Sequence, residues 1–151
     1  NKFSGFIPPE LGNLASLTEL YLDNNQLNGS IPAEIGYLDT LFLLYLNNNQ
    51  LSGTIPAELG NLRQLDILRL NNNHLIGDIP ASFLNMVYLD DPGMVYDGGD
   101  GLDLDYNALK VPPSYPDPSI PLHVFLNRKD PDWHIRQNPL LTFLPLVQVQ
   151  R

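Results

Sequence analysis

The eight-residue pattern Leu-x-Leu-x-x-Asn-x-Leu occurs four times along this chain. Its copies stand at 20–27, 44–51, 68–75 and 102–109. In the first three copies the asparagine is Asn25, Asn49 and Asn73, so these residues follow one another at two equal intervals. A constant interval of this kind is the sequence signature of stacked structural repeats. The chain is therefore predicted to be a solenoid, built from coils that share one continuous core.

The alternation within the pattern predicts which side chains face that core. Successive side chains of a strand point to opposite sides, so Leu20, Leu44 and Leu68 should lie beneath one another inside the solenoid. The short strands should pair into one parallel sheet on the concave side. The asparagines of the four copies should also turn inward, as a continuous ladder: Asn25, Asn49, Asn73 and Asn107. Each inward amide needs hydrogen bonds to the backbone, because a buried polar group without a partner costs roughly 1 to 3 kcal/mol.

A second motif, Gly-x-Ile-Pro, recurs at 5–8, 29–32, 53–56 and 77–80. Proline fixes the backbone and offers no donor for a long helix, so this motif predicts short strands and 3-10 turns on the convex side. Together the motifs give the consensus LxxLxxLxLxxNxLxGxIPxxLxxL, which resembles the plant-type leucine-rich repeat of receptor-like kinases and receptor-like proteins. The resemblance implies an α/β solenoid, a right-handed superhelix with a short parallel concave sheet and a helical C-terminal cap. It also implies extracellular recognition.

The constant period predicts the domain organisation up to the point where it breaks. The interval from Asn73 to Asn107 is longer than the earlier intervals by ten residues, and this insertion falls within 90–101. Insertions in solenoids form loops on one face, often the binding face. Residues 1–110 are thus predicted to be the solenoid, with a partial first repeat, three complete repeats and one repeat that carries the insertion. Residues 111–133 are a proline-rich loop and a helical cap, and 134–151 are an extended tail or linker.

The predicted cap rests on a helix start at Asp117 and Pro118, followed by apolar residues on one helical face. A terminal coil exposes its leucines, which such a helix would cover. The stretch LDLDYNAL, followed by FLNRKDPDW, is also similar to the closing segment of secreted bacterial leucine-rich-repeat proteins. That similarity, and the absence of the paired cysteines that flank plant receptor ectodomains, favours a bacterial extracellular origin.

Composition excludes several classes of partner. The 17 acidic and 8 basic residues give a formal net charge of −9. Nucleic-acid binding draws most of its affinity from lysine and arginine, and anionic membranes attract basic segments, so neither partner is expected. No apolar run reaches transmembrane length, which argues against membrane insertion. Without cysteine there is neither a disulfide framework nor a thiolate metal site.

The outward positions of the concave strands form the predicted ligand-binding surface. Tyr21, Tyr45 and Arg69 should lie side by side at the ~4.8 Å strand spacing, and binding hot spots favour such side chains. Leu43 and Ile67 are expected to be exposed beside them, as in an interaction patch. The alternative is that the tyrosines simply pack on their cross-strand neighbours. The full predicted surface comprises Glu19, Tyr21, Asp23, Leu43, Tyr45, Asn47, Ile67, Arg69, Asn71, Asp103 and Asp105.

The insertion adds Asp97 and Asp100 to this surface as loop contacts. Clustered aspartates suggest a calcium site, but their spacing fits no EF-hand loop. A solvated acidic loop is therefore favoured, and no metal or cofactor is predicted. The three histidines have no partner at the spacing of a zinc site or a nucleophile–base pair, so no catalytic residue is assigned. Asn28, Gly29 and Ser30 match a glycosylation acceptor, although chance accounts for this motif equally well.

Three functions remain open. The leading hypothesis is a non-catalytic extracellular module that binds a protein, peptide or glycan through its concave face and the loop at 90–101. About five coils offer a face roughly 20 to 25 Å long, near the lower end of a standard interface of about 800 Å² per partner. The second hypothesis is an assembly unit that self-associates through an open N-terminal edge. The third is a targeting or regulatory fragment of a larger receptor or enzyme.

Overall fold

The computed structural model describes residues 1–89, 101–104, 107–110, 119 and 121–122. This part of the chain winds into stacked coils. A complete coil consists of a strand on the concave side, an asparagine-rich turn, a second strand and a short 3-10 helix. None of the helices found there is long and apolar enough to cross a membrane. The predicted solenoid with parallel strands and 3-10 turns is therefore confirmed.

The strands of the described residues form two parallel sheets, the concave sheet and a further sheet that we call the second sheet. The second sheet contains, in spatial order, β1 (Ser4–Gly5), β3 (Gln26–Gly29), β5 (Gln50–Thr54), β7 (His74–Gly77) and β9 (Ala108–Leu109). The concave sheet contains β2 (Glu19–Tyr21), β4 (Leu43–Tyr45), β6 (Ile67–Arg69) and β8 (Leu102–Asp103). Each complete coil thus gives one strand to each sheet.

The concave sheet keeps its register across the insertion. Leu44 pairs with Leu68, and Leu68 pairs with Leu102 although the insertion lies between them. All three leucines are fully buried. Since a slip of one residue would turn the buried leucines of a strand towards solvent, burial fixes this register. The predicted alignment of Leu102 with Leu68 is therefore confirmed.

The inward asparagines form the ladder between coils. The Nδ2 atom of Asn49 donates to the carbonyl oxygens of Leu22 (2.9 Å) and Leu46 (3.1 Å), and its Oδ1 accepts from the backbone N–H of Leu27 (3.0 Å). Asn73 repeats this arrangement one coil later. So does Asn107, after the insertion. Each asparagine thus joins its own coil to the preceding one through atoms that are largely shielded from water.

Four 3-10 helices of five residues lie side by side on the convex side of the described residues: η1 (Pro9–Asn13), η2 (Ala33–Tyr37), η3 (Ala57–Asn61) and η4 (Ala81–Asn85). Each follows the proline of a Gly-x-Ile-Pro motif, which holds φ between −61 and −67°. Hydrogen bonds such as Ile35 N–H to the Pro32 oxygen (3.2 Å) close the turns. Short 3-10 turns match the rarity of longer runs.

A column of glycines lets the 3-10 helices approach one another. A Cβ atom on Gly12 or Gly36 would overlap the backbone oxygen of the next helix, at Glu34 and Glu58 respectively. Gly60 stands in the same position against the fourth helix. In η4 the corresponding residue is Leu84, whose side chain is 39% exposed. The glycine column therefore serves three contacts and stops at the fourth helix.

The two ends of the solenoid differ from its interior. Leu38 and Leu62 are fully buried, whereas Leu14, in the same column of the first coil, is 48% exposed. Leu20 is nonetheless buried, so the exposed leucine surface of the first coil lies around Leu14 and not beneath the concave sheet. At the other end, Leu122 lies in a helical segment and packs against the core.

Several predicted segments lie outside the described residues. The predicted loop at 90–101 does so except for Gly101, and the predicted tail at 134–151 does so entirely. Of the proline-rich loop and cap predicted at 111–133, only residues 119 and 121–122 are described.

Candidate ligand-binding face

The concave sheet brings most of the predicted surface residues together. Tyr21 pairs in register with Tyr45, Tyr45 with Arg69, and Arg69 with Asp103. These four residues therefore form one row across the four strands, as the alternation predicts. Asp105 lies outside the described residues, as do the two loop residues Asp97 and Asp100.

Two aromatic rings form the N-terminal half of this row. The rings of Tyr21 and Tyr45 are stacked, with centroids 5.0 Å apart and an interplanar angle of 22°. Tyr21 remains 55% exposed and Tyr45 is half-buried. An offset pair at this distance adds about 0.5 to 1.5 kcal/mol beyond area burial. The stack therefore holds both rings in a fixed orientation on an open face, where they can contact a ligand without losing rotamer freedom.

The surroundings of Tyr21 are acidic. Partial burial, the Glu19 carboxylate, a hydrogen bond to Glu19 and the Asp23 carboxylate together raise the pKa of the Tyr21 phenol above its ordinary value. The Glu19 and Asp23 carboxylates make the potential at the N-terminal end of the face negative, which favours a cation there.

The predicted exposure of Leu43 and Ile67 is wrong. Both residues occupy concave-face positions, yet they are only 6% and 4% exposed. Leu43 is paired on its two sides with Glu19 and Ile67. Strand alternation gives the direction of a side chain but not its accessibility, and apolar side chains on parallel strands ~4.8 Å apart cover one another. These two residues thus add apolar burial to the sheet and no exposed patch.

A second row of polar residues follows the strands. Asp23, Asn47 and Asn71 are all half-buried. The Oδ1 atoms of Asn47 and Asn71 are buried and have no hydrogen-bond partner. Unpaired acceptors of this kind are rare in folded proteins, so each needs an explanation. Here they occur on adjacent coils, directly after the strands that carry Tyr45 and Arg69.

Among the described residues, no group of three or more histidine, aspartate or glutamate side chains is placed to hold a metal ion. The described part of the face presents amide groups, carboxylates and aromatic rings.

The coils that form the concave sheet match a known repeat family. The model of the Leucine Rich Repeat family matches residues 16–38, 40–62 and 64–86, which are the coils that carry the tyrosine and asparagine rows. These residues of the chain are leucine-rich repeats. Comparison with curated proteins finds no significant match.

Solved plant structures are similar to this leucine-rich repeat domain. The ectodomain of the receptor kinase GASSHO1/SCHENGEN3 from Arabidopsis thaliana, in complex with CASPARIAN STRIP INTEGRITY FACTOR 2, is 37% identical with a TM-score of 0.63, covering 72% of this chain and 12% of that one. The BIR3–SERK2 complex from Arabidopsis thaliana is 34% identical with a TM-score of 0.62, covering 72% and 53%. A plant ice-binding protein is 34% identical with a TM-score of 0.61, covering 70% and 31%. The repeats are thus of the plant type, and the chain spans about half or less of these structures.

Sequence reasoning gave no role to one asparagine of each repeat. Asn24, Asn48 and Asn72 have φ values of 54 to 55°, a left-handed conformation that asparagine tolerates better than other residues with a Cβ. The Nδ2 atom of Asn48 donates to Oδ1 of Asn24 at 3.1 Å. The signal was present in the sequence, because the same residue type recurs at the end of each of these concave strands. These residues turn the chain from the concave sheet to the second sheet.

Proposed function

We propose that this leucine-rich repeat domain is a non-catalytic, extracellular recognition module whose concave sheet binds a short, extended peptide. The observation that carries the proposal is the stack of Tyr21 on Tyr45, held on an open face beside Arg69. Extracellular recognition is supported by the similarity to an ectodomain solved with CASPARIAN STRIP INTEGRITY FACTOR 2 and to the complex of BIR3 with SERK2.

The described part of the concave sheet has room for a short extended peptide. Four concave strands spaced by ~4.8 Å span roughly 15 Å between the outer strands. An extended chain advances about 3.3 Å per residue, so roughly five residues cross the sheet.

Charge favours a basic residue in that peptide. Glu19 and Asp23 flank Tyr21, and their carboxylates contribute to its raised pKa. A lysine or arginine of the ligand would meet both carboxylates and the faces of the stacked rings, and cation–π contacts add about 0.5 to 2 kcal/mol. The net charge of −9 attracts the same kind of ligand at long range.

The unpaired amide oxygens of Asn47 and Asn71 support a ligand that carries N–H donors. Each asparagine is half-buried in the row that follows Tyr45 and Arg69. A bound peptide backbone supplies such donors. Satisfying one buried acceptor removes a penalty of about 1 to 3 kcal/mol.

The first test is a selection of random hexapeptides on the immobilised chain. We expect the enriched peptides to contain lysine or arginine. We also expect Tyr21→Ala to weaken their binding about tenfold, because loss of the exposed ring removes roughly 1.4 kcal/mol. Glu19→Gln should weaken binding of the same peptides in low salt more than in high salt. Titration calorimetry measures both effects.

Ser52→Ala is the matched control, because Ser52 is exposed on β5 of the second sheet. Its affinity should equal that of the wild type, and all variants should be folded in the absence of urea. Tyr21→Ala should unfold at a somewhat lower urea concentration, because it loses the ring stack. Selected peptides that bind the Tyr21→Ala and wild-type proteins equally well would exclude the concave site.

Self-association through the N-terminal edge is the second candidate, because Leu14 is 48% exposed there while Leu38 and Leu62 are fully buried. If two copies meet at this edge, light scattering will show a dimer at high concentration, and Leu14→Asp will convert it into a monomer. A wild-type protein that stays monomeric throughout the concentration range argues against this candidate.

A further inference from the structure

The sequence Asn28-Gly29-Ser30 is the single Asn-x-Ser/Thr motif of the chain. Asn28 lies on β3 of the second sheet, between the buried Leu27 and the turn that ends the strand. Alternation along β3 turns the Asn28 side chain outward, and the residue is half-buried while Ser30 is exposed. The motif is therefore displayed on the second sheet, away from the concave sheet.

The fold does not require asparagine at this position. The equivalent residues of the other coils are Ser4, Ser52 and Ile76, and none of these three carries an amide. The ladder asparagines, in contrast, are the same residue in every coil and make the same bonds. Asn28 is thus available for chemistry that the ladder residues cannot perform.

An exposed aromatic ring lies beside the motif. In the parallel pairing of β1 with β3, Ser4 is opposite Gln26 and Gly5 is opposite Leu27, so the next residue, Phe6, comes opposite Asn28. The Phe6 ring rests on Gly29, where a Cβ atom would overlap its Cδ1. Even so, Phe6 is 75% exposed. A ring of this size left open to water beside an acceptor amide provides an apolar platform for whatever the amide carries.

We propose that Asn28 carries an N-linked glycan whose first sugar packs on the Phe6 ring. In the reaction, Nδ2 of Asn28 bonds to the anomeric carbon of a lipid-linked oligosaccharyl diphosphate. The bond from that carbon to the phosphate oxygen breaks, the lipid diphosphate leaves with the electron pair, and Nδ2 loses one proton. The proposal rests on the extracellular part of the proposed function, because this transfer occurs on secreted chains.

The chemistry of a sugar fits this platform. A pyranose presents C–H groups on one face, and the π-face of an aromatic ring carries the partial negative charge that attracts them. Covering Phe6 also removes apolar surface from water. Because the second sheet and the concave sheet are separate sheets, the glycan leaves the concave strands open to a ligand.

The test is secretion of the whole chain from a eukaryotic cell line, followed by peptide mapping with mass spectrometry. We expect carbohydrate on Asn28 in the wild-type protein and in Ser30→Thr, and none in Ser30→Ala. Trimming with an endoglycosidase that leaves one sugar should preserve a thermal midpoint roughly 2 to 4 °C above that of Ser30→Ala. In the Phe6→Ala background this difference should vanish while the carbohydrate remains.

Two results would overturn the proposal, each in a different part. Secreted wild-type protein without carbohydrate on Asn28 would refute the proposed modification. If the single sugar raises the thermal midpoint equally with and without Phe6, the proposed packing of the sugar on the ring is refuted. The selected peptides are titrated against the same preparations, so an unglycosylated protein that binds them leaves the proposed function intact. A glycosylated protein that selects no peptide leaves the glycan site intact.

Discussion

Asn49→Leu is expected to lower the free energy of unfolding by about 2 to 5 kcal/mol, since it leaves one buried N–H without an acceptor and removes two further hydrogen bonds. The N–H of Leu27 loses its acceptor. The carbonyl oxygens of Leu22 and Leu46 each lose one of two amide donors, and they keep the donors from Asn25 and Asn73 respectively. Asn49 is only 8% exposed, so water cannot easily replace these bonds. Each unsatisfied buried group costs roughly 1 to 3 kcal/mol, and a whole domain is stable by only about 5 to 15 kcal/mol. Urea unfolding followed by circular dichroism measures the loss.

Asn25→Leu is the matched control, because it removes the same amide from the first rung of the ladder. Asn25 is half-buried, and its Oδ1 accepts from the exposed N–H of Phe3 at 3.1 Å. Water can reach these groups, so we expect a loss of about 1 kcal/mol. Equal losses at the two positions would show that burial of the ladder does not determine its strength.

Gly36→Ala is expected to destabilise the domain by about 3 kcal/mol through overpacking. The added Cβ would overlap the backbone oxygen of Glu58 on the neighbouring 3-10 helix. Backbone cannot move aside as the end of a flexible side chain does, so the two coils must separate and loosen the packing between them. Overpacking of this kind costs about 1 to 3 kcal/mol and occasionally more. The shift of the urea midpoint at constant slope measures it.

Gly5→Ala separates crowding from backbone conformation. Gly5 has φ of +93°, which strains any residue with a side chain, yet no atom lies within 4 Å of an added Cβ. We expect a loss of about 1 to 2 kcal/mol from strain alone. If Gly36→Ala lowers the free energy of unfolding less than Gly5→Ala does, the glycines of the column are not needed for close contact between the 3-10 helices.

The sequence predicted the fold because its main signals are themselves causes of the fold. The leucines of the repeated pattern must be buried and its asparagines must bond to backbone, so their period fixes the stacking and the register. The same reasoning aligned Leu102 with Leu68 across ten inserted residues, since an insertion lengthens a loop without changing which leucines the core accepts.

The candidate site was predicted in part. Alternation placed Tyr21 beside Tyr45 on the open face, and the structure stacks their rings. It could not predict the burial of Leu43 and Ile67, because accessibility depends on the neighbouring side chains and not on strand direction. The sequence also could not predict the unpaired oxygens of Asn47 and Asn71. The orientation of an amide depends on contacts in three dimensions, which residue spacing does not reveal.

Leu84 occupies in the fourth 3-10 helix the position that glycine occupies in the first three, and this limits where further repeats can be added. Duplicating one internal repeat keeps a glycine beneath each added turn. A repeat added directly after Asn85 would instead place its 3-10 helix against the Leu84 side chain. Its backbone could not approach η4 as closely as the backbones of η2, η3 and η4 approach the glycines. Recombination during evolution, or a designer lengthening the protein, can therefore add repeats more readily between the glycine-bearing helices than against the fourth one.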